Sequence, residues 1–338
     1  MRLRTLSAIL ICMYVLAAAG IGDASGQPGL SCPYRSGIHI AHACPVNQNP
    51  APIPPRMGGT RMVAAGCESG LIYALASLYS YDDAGCHPAN STVGIGSYSL
   101  KFVGDASDYF PPNYRRAVSR GSNFHATLYC DMATNTLILA FRGSSQLTPL
   151  VNRNQLDDWF YTNFFHHVGE RPLQYEFSED AADSIEQRLR FGGFDGTCDS
   201  GRPRLILTGH SKGGGQAQFA AVKIDLDAVV FNSDIVNPVI FNDWPSHPSL
   251  DPLIQSAVGC RTGRFDSALK VYSDYLRMTG KVRDIRMVND PLTEVLNRIC
   301  GDHLPHAPIE WLVNTLSCSN DGHAVETVIS ELRACVGP

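Results

Sequence analysis

Apolar positions along this chain fall into two kinds of run, short continuous ones and longer ones recurring every three to four residues, and the two kinds alternate. Residues Arg61 to Tyr81 repeat with helical spacing and offer Met62, Ala65, Leu71, Leu75 and Leu78 to one buried face. The turn signal Asp82-Asp83-Ala84-Gly85 ends that helix. Its tyrosines Tyr73, Tyr79 and Tyr81 fit packing better than a ligand site, because aromatic rings at helical spacing usually serve the core. The segments FHATLYCD and NTLILAFR flank Met132 to Thr134 and predict two antiparallel strands joined by a tight hairpin. The second of these is almost wholly apolar, so it belongs inside a sheet. A helix is predicted from Glu176 to Phe191, with Ala181, Ile185 and Leu189 on one side, Ser178 and Asp180 near its start, and Gly192-Gly193 as its stop.

The apolar strand Leu205-Ile206-Leu207 comes next, so helix and strand form a crossover unit of the kind that builds a parallel sheet. Ala228 to Asn232 and Val282 to Val288 are further strand candidates, and Leu253 to Leu276 is helical in part. Pro308 to Leu316 and Ala324 to Arg333 read as helices. No internal repeat interrupts this alternation. The expected architecture is one α/β domain over residues 60–338, with a mostly parallel central sheet flanked by helices. Before it, residues 27–58 are rich in Pro and Gly and lack a period, which predicts an extended segment. Gln146 to Trp159 is a long loop that mixes Leu147, Leu150, Val151 and Leu156 with polar neighbours. It suits either a movable lid or a static surface loop.

Composition, charge and local motifs add further constraints. With 44% hydrophobic and 17% charged residues, the chain can bury a sizeable core and is not a disordered polymer. Arg2 and Arg4 precede an apolar run from Leu6 to Leu16 and the small residues Ala17-Ala18-Ala19, the pattern of a secretory signal peptide over residues 1–19, with cleavage as late as residue 26 as the alternative. No later stretch reaches spanning length, so no transmembrane segment is expected in the mature chain. Beyond Cys12 in the leader there are ten cysteines, which in an exported chain predicts up to five disulfides. They are spaced too widely for a metal site, and neither metal nor cofactor is expected. The net charge of −5, taken to −7 by loss of Arg2 and Arg4, comes with no basic cluster and excludes a nucleic-acid partner. Asn90-Ser91-Thr92 is a glycosylation sequon.

The candidate chemistry sits after the strand Leu205-Ile206-Leu207, in Gly209-His210-Ser211-Lys212-Gly213. This GxSxG pentapeptide, with a helix-compatible stretch behind it, is the setting of a nucleophile elbow, a sharp turn that lifts the serine hydroxyl clear of the sheet. A serine hydroxyl is too weakly acidic to attack a carbonyl unaided, so it needs a histidine base and a carboxylate to orient that base. In α/β-hydrolases both follow in the chain, acid before histidine. Asp290, in Val288-Asn289-Asp290-Pro291 just past a predicted strand, is the acid candidate, with Asp234 as the alternative. His323, on the glycine turn before the last helix, is the base candidate, with His303 and His306 as alternatives. The negative oxygen formed in the attack needs waiting donors, and these would be the backbone N–H of Lys212 and a group at Ser144, just beyond the buried strand LILAFRG.

Three segments in this order, Leu139-Ala140-Phe141-Arg142-Gly143-Ser144-Ser145, Asp158-Trp159-Phe160-Tyr161-Thr162-Asn163 and Gly209-His210-Ser211-Lys212-Gly213-Gly214, resemble the class 3, or fungal-type, lipases of the α/β-hydrolase fold. The resemblance implies Ser211 as nucleophile, Asp290 as acid, His323 as base and Ser144 in the oxyanion hole. It extends by order of elements from about Gly66 to the C-terminus. The chain departs from the family pattern at Lys212 and Gly214, in a longer loop after Ser145, and in lacking the usual Tyr-Trp ending around His323. The activity so implied is that of a secreted serine ester hydrolase, a lipase cleaving acylglycerol or phospholipid esters at a membrane or lipid-droplet surface. A non-lipid carboxylesterase of feruloyl type, an inactive hydrolase-fold binding protein and a serine peptidase are the alternatives.

Overall fold

The computed structural model describes residues 59–82, 86–110, 124–144, 172–198, 201–234, 236, 240, 279–290, 292–293, 309–313 and 323–337 of the 338-residue chain. The expected leader, the Pro/Gly-rich segment 27–58, the segment 146–159 expected as a loop, the segment 253–276 expected to be helical in part and the alternative bases His303 and His306 lie outside the described residues.

Strands organise the domain. They are β1 (Thr60–Arg61), β2 (Thr92–Ile95), β3 (Tyr98–Asp105), β4 (Ala126–Asp131), β5 (Thr136–Phe141), β6 (Arg204–His210), β7 (Asp227–Phe231), β8 (Val282–Met287) and β9 (Ile309–Leu312). They form one sheet in the order β1-β9-β8-β7-β6-β5-β4-β3-β2. Pairing is parallel from β5 through β6, β7, β8 and β9 to β1 and antiparallel from β5 out to β2. The helices that flank the sheet include α1 (Ala64–Tyr79), α2 (Leu173–Arg190), α3 (Lys212–Ile224) and α4 (Val325–Val336).

The period of two along each strand sorts its apolar side chains into two cores. Leu137, Leu139 and Phe141 of β5, Leu205 and Leu207 of β6, and Ala228 and Val230 of β7 face Ile185 of α2 and Phe219 of α3. Ile138, Ile206, Val229 and Phe231 face the opposite way, onto Leu71 and Leu75 of α1 and Ile329 and Leu332 of α4. A sheet covered on both faces explains why the central strands read as continuous apolar runs. This is an α/β architecture, a mostly parallel sheet flanked by helices and held by disulfides.

Two disulfides join described cysteines, Cys67–Cys335 between α1 and α4 and Cys130–Cys198 between β4 and the turn after α2, and Cys86 is also disulfide-bonded. Among the described residues no helix is long and apolar enough to cross a membrane.

Several expectations are corrected. The segment expected to be helical from Pro308 to Leu316 contains strand β9, whose Asp284↔Ile309 and Thr60↔Glu310 pairings fix it between β8 and β1. A short apolar run does not declare its period, and burial of Ile309 and Trp311 in the sheet decided the matter. Ala65 is exposed, so the buried face of α1 starts at Cys67. Ser178 is no start signal: α2 begins after Pro172, and the buried Ser178 hydroxyl donates to the Tyr175 carbonyl at 2.6 Å. The hairpin of β2 and β3 was not foreseen, although Leu100 and Phe102 alternate with polar residues after a glycine turn at Gly96, which has φ 60°.

Candidate active site

At the end of β6 the backbone enters a conformation that L-residues seldom adopt, with Ser211 at φ 56° and ψ −127°. Hydrogen bonds hold it there. The Ser211 N–H donates to the Phe231 carbonyl at 3.1 Å, while its own carbonyl accepts from Asp234 N–H at 2.9 Å and Gly215 N–H at 3.2 Å. The flanking glycines make the turn possible. A Cβ on Gly209 would sit 2.3 Å from the Gly213 carbonyl, and one on Gly213 would sit 2.1 Å from the Phe141 carbonyl oxygen. Strand β6, helix α3 and the end of β5 therefore approach at backbone contact, and the Ser211 side chain is left pointing out of the turn.

His323 follows β9 and sits two residues before α4. Its Nε2 lies 2.9 Å from Ser211 Oγ and its Nδ1 lies 2.8 Å from Asp290 Oδ1. The partners dictate the proton positions: a carboxylate only accepts, so Nδ1 carries the hydrogen and bare Nε2 accepts from the serine hydroxyl. Asp290, three residues past β8, is almost fully buried. Leu292 N–H donates to Oδ1 at 3.1 Å and Thr293 N–H to Oδ2 at 3.1 Å, and the Thr293 hydroxyl also donates to Oδ2. Burial by itself would raise the carboxyl's pKa. The charge and hydrogen bond of His323, the Thr293 hydroxyl and the nearby Arg286 outweigh it, so Asp290 is held below the usual carboxylate range.

Beneath this carboxylate lies a buried polar layer. Arg286 Nη1 donates to Thr293 Oγ1 at 2.8 Å, its Nε to Asp284 Oδ2 at 2.7 Å and its Nη2 to the Ser233 carbonyl at 2.7 Å. Desolvation raises the Asp284 carboxyl, and Arg286 offsets part of that rise. One guanidinium thus braces the threonine that braces the acid.

Of the remaining predicted residues, Lys212 is buried as the first residue of α3, where the positive end of the helix dipole favours developing negative charge. Ser144 follows β5, and the neighbouring Gly143 is so tightly enclosed that a Cβ there would come within 2.7 Å of the His210 carbonyl. Both therefore follow the C-terminal ends of the adjacent central strands β5 and β6, the latter of which leads into the Ser211 turn. The alternative acid Asp234 is buried near the elbow, and its N–H holds the Ser211 carbonyl, but the carboxylate meeting His323 Nδ1 is that of Asp290.

Sequence reasoning missed two groups. Tyr81, assigned to packing, places its hydroxyl 2.9 Å from His210 Nδ1, and His210 Nε2 in turn reaches the His323 carbonyl. Arg286 and Thr293 carried no motif that separated them from surface residues; only the tertiary approach of β8 to Ser233 reveals them. Among the described residues no group of three His, Cys, Asp or Glu could hold a metal. A separate cleft of about 330 Å³ lies by Arg204, Asp225, Asp227 and Lys281, at the end of β6 opposite Ser211. Its charges pair among themselves, Arg204 with Asp227 and Lys281 with Asp225.

Residues 98–244, less than half of the chain, match the family model of the Tle-like phospholipase domain, so this region is phospholipase-like in sequence. No curated protein matches the chain. Among solved structures, the Rhizomucor miehei lipase propeptide complex is similar over 93% of this chain and 90% of its own, at 14% identity and TM-score 0.38. A fungal lipase–inhibitor complex aligns over 68% of this chain and 73% of its own, at 15% identity and TM-score 0.33. An S-formylglutathione hydrolase from Agrobacterium tumefaciens aligns over 72% and 94%, at 13% identity and TM-score 0.33.

Proposed function

We propose that this chain is a secreted serine ester hydrolase that cleaves lipid esters. The observation that carries the reading is a single imidazole, His323, in hydrogen-bond reach of both Ser211 Oγ and the buried Asp290 carboxylate. Ser211 Oγ attacks the ester carbonyl carbon and its proton passes to His323 Nε2. The negative oxygen of the tetrahedral intermediate is received by the Lys212 N–H and by Ser144. Collapse breaks the bond to the alcohol oxygen, which takes the proton from His323 and leaves an acyl-Ser211. Water then gives a proton to His323, its oxygen attacks the acyl carbon, and the second collapse returns that proton to Ser211 Oγ as the acid leaves.

Two observations bear on the ester. The match of residues 98–244 to a phospholipase domain supports a phospholipid, while the class 3 lipase motifs support an acylglycerol. Secretion is supported by the apolar leader and by the disulfides Cys67–Cys335 and Cys130–Cys198, which persist in oxidising compartments.

The test is direct. Purified protein should hydrolyse p-nitrophenyl esters and become labelled at Ser211 by a fluorophosphonate, and both should disappear in Ser211→Ala. A protein that does neither is no serine ester hydrolase. Turnover of phosphatidylcholine vesicles against trioctanoin emulsions decides the substrate.

A further inference from the structure

The carbonyl of His323 is held from below. His210 Nε2 lies 2.5 Å from that oxygen, and Asn232 Nδ2 approaches it at 3.4 Å. A carbonyl can only accept, so His210 carries its proton on Nε2. Its bare Nδ1 then accepts from the Tyr81 hydroxyl at 2.9 Å. The two imidazoles are adjacent, with centroids 4.8 Å apart. The Tyr81 hydroxyl is wedged against Gly143, where a Cβ would come within 2.1 Å of it. One line of contacts therefore runs from the turn beside Ser144, through Tyr81 and His210, to the backbone of the base.

We propose that Tyr81 and His210 are positioning residues for His323, with the Tyr81 hydroxyl fixing the tautomer whose Nε2–H holds the His323 carbonyl and aims its ring at Ser211. This rests on the reading of Ser211, His323 and Asp290 as a triad. His210 is suited to the task because it stays neutral: burial, and next the charge of His323, lower its pKa to about 3. A second cation there would oppose the imidazolium that His323 becomes during attack. Without the Tyr81 hydroxyl the proton can move to Nδ1, and a bare Nε2 then faces the carbonyl lone pairs. The support would become a repulsion.

The experiment compares Tyr81→Phe, His210→Ala, His210→Gln and the double variant Tyr81→Phe/His210→Gln, with kcat and KM for p-nitrophenyl butyrate, the fluorophosphonate labelling rate and the thermal midpoint. Glutamine is the discriminating substitution, because its amide nitrogen is as many bonds from Cα as histidine Nε2 and it has no tautomer to fix. A misplacement of about 1 Å at a reacting group costs about a hundredfold, so His210→Ala should lose about that much in kcat and in labelling rate with KM unchanged. Tyr81→Phe should lose about tenfold, His210→Gln should recover most of the alanine loss, and Tyr81→Phe should cost less than twofold in the glutamine background. If folded Tyr81→Phe and His210→Ala keep wild-type kcat, the inference is overturned and the triad stands. It is also overturned if glutamine restores the thermal midpoint without restoring kcat. A wild-type protein that neither turns over esters nor labels removes the triad reading itself, and this inference with it.

Discussion

Thr293 shows how much of a carboxylate's behaviour resides in its neighbours. Its hydroxyl donates to Asp290 while accepting from Arg286 Nη1 at 2.8 Å. Thr293→Val keeps the shape and removes both bonds, leaving a buried guanidinium N–H without that acceptor. The expected cost is about 1–3 kcal/mol in urea unfolding, together with a kcat reduced about tenfold as Asp290 loses a donor. Unchanged stability would mean that the Arg286 contact contributes nothing. His210 makes a second prediction through pH. Its folded pKa, about 3, lies below the 6.5 of the free imidazole, so the unfolded chain binds the extra proton. Its effect on stability is therefore nil well above pH 6.5 and unfavourable as pH falls through 6.5 toward 3, by up to about 1.4 kcal/mol per unit. Asp290, whose pKa is lowered, contributes stability above 3.8 that is lost only at more acidic pH, outside the window from 5 to 7. The stability of the wild type relative to His210→Gln should thus decline between pH 7 and pH 5. A constant difference would show that burial does not keep His210 neutral.

At the scale of elements the elbow can be tested by two glycines of opposite kind. In Gly209→Ala the new Cβ meets the Gly213 carbonyl carbon and oxygen at 2.3 Å, and backbone atoms there cannot step aside without moving α3 off β6. A loss of about 3 kcal/mol or more is expected in thermal melts. Gly66, in α1, has nothing closer than 3.5 Å to its Cβ position, so Gly66→Ala should raise stability by about 0.5–1 kcal/mol through the entropy of the unfolded chain. The same distinction explains what could be read in advance. The elbow, β5 to β8 and helices α1 to α4 announced themselves, because glycine spacing and apolar period are local properties. Strand β9 did not, since Ile309 and Trp311 become strand residues only by pairing with β8 and β1. Ser211, Asp290 and His323 were singled out from order and context, and hydrogen bonds join them. Tyr81 and His210 were not, because a tyrosine at helical spacing and the histidine of a GxSxG motif gain a role only where α1 passes the end of β6.

For the whole molecule the question is what the disulfide between Cys67 and Cys335 holds in place. It closes a separation of 268 residues, with Cα atoms 6.0 Å apart, and fastens the end of α4 to the start of α1. The chain-entropy account gives about 5 kcal/mol for loops beyond 100 residues, and measured losses for native bridges are about 2–5 kcal/mol. His323 lies at the opposite end of α4, roughly 15 Å of helix from Cys335. That near end is secured by other means. Val325, Val328 and Ile329 are buried against α1, the His323 carbonyl is held by His210, and its ring is held by Asp290. Packing should therefore determine where His323 sits, while the bridge raises the free energy of the unfolded chain. The double variant Cys67→Ala/Cys335→Ala is expected to lose about 2–5 kcal/mol in denaturant unfolding while keeping kcat on p-nitrophenyl butyrate within twofold, measured well below its melting temperature. A kcat that collapses in a variant still folded would place the bridge among the devices that aim the base.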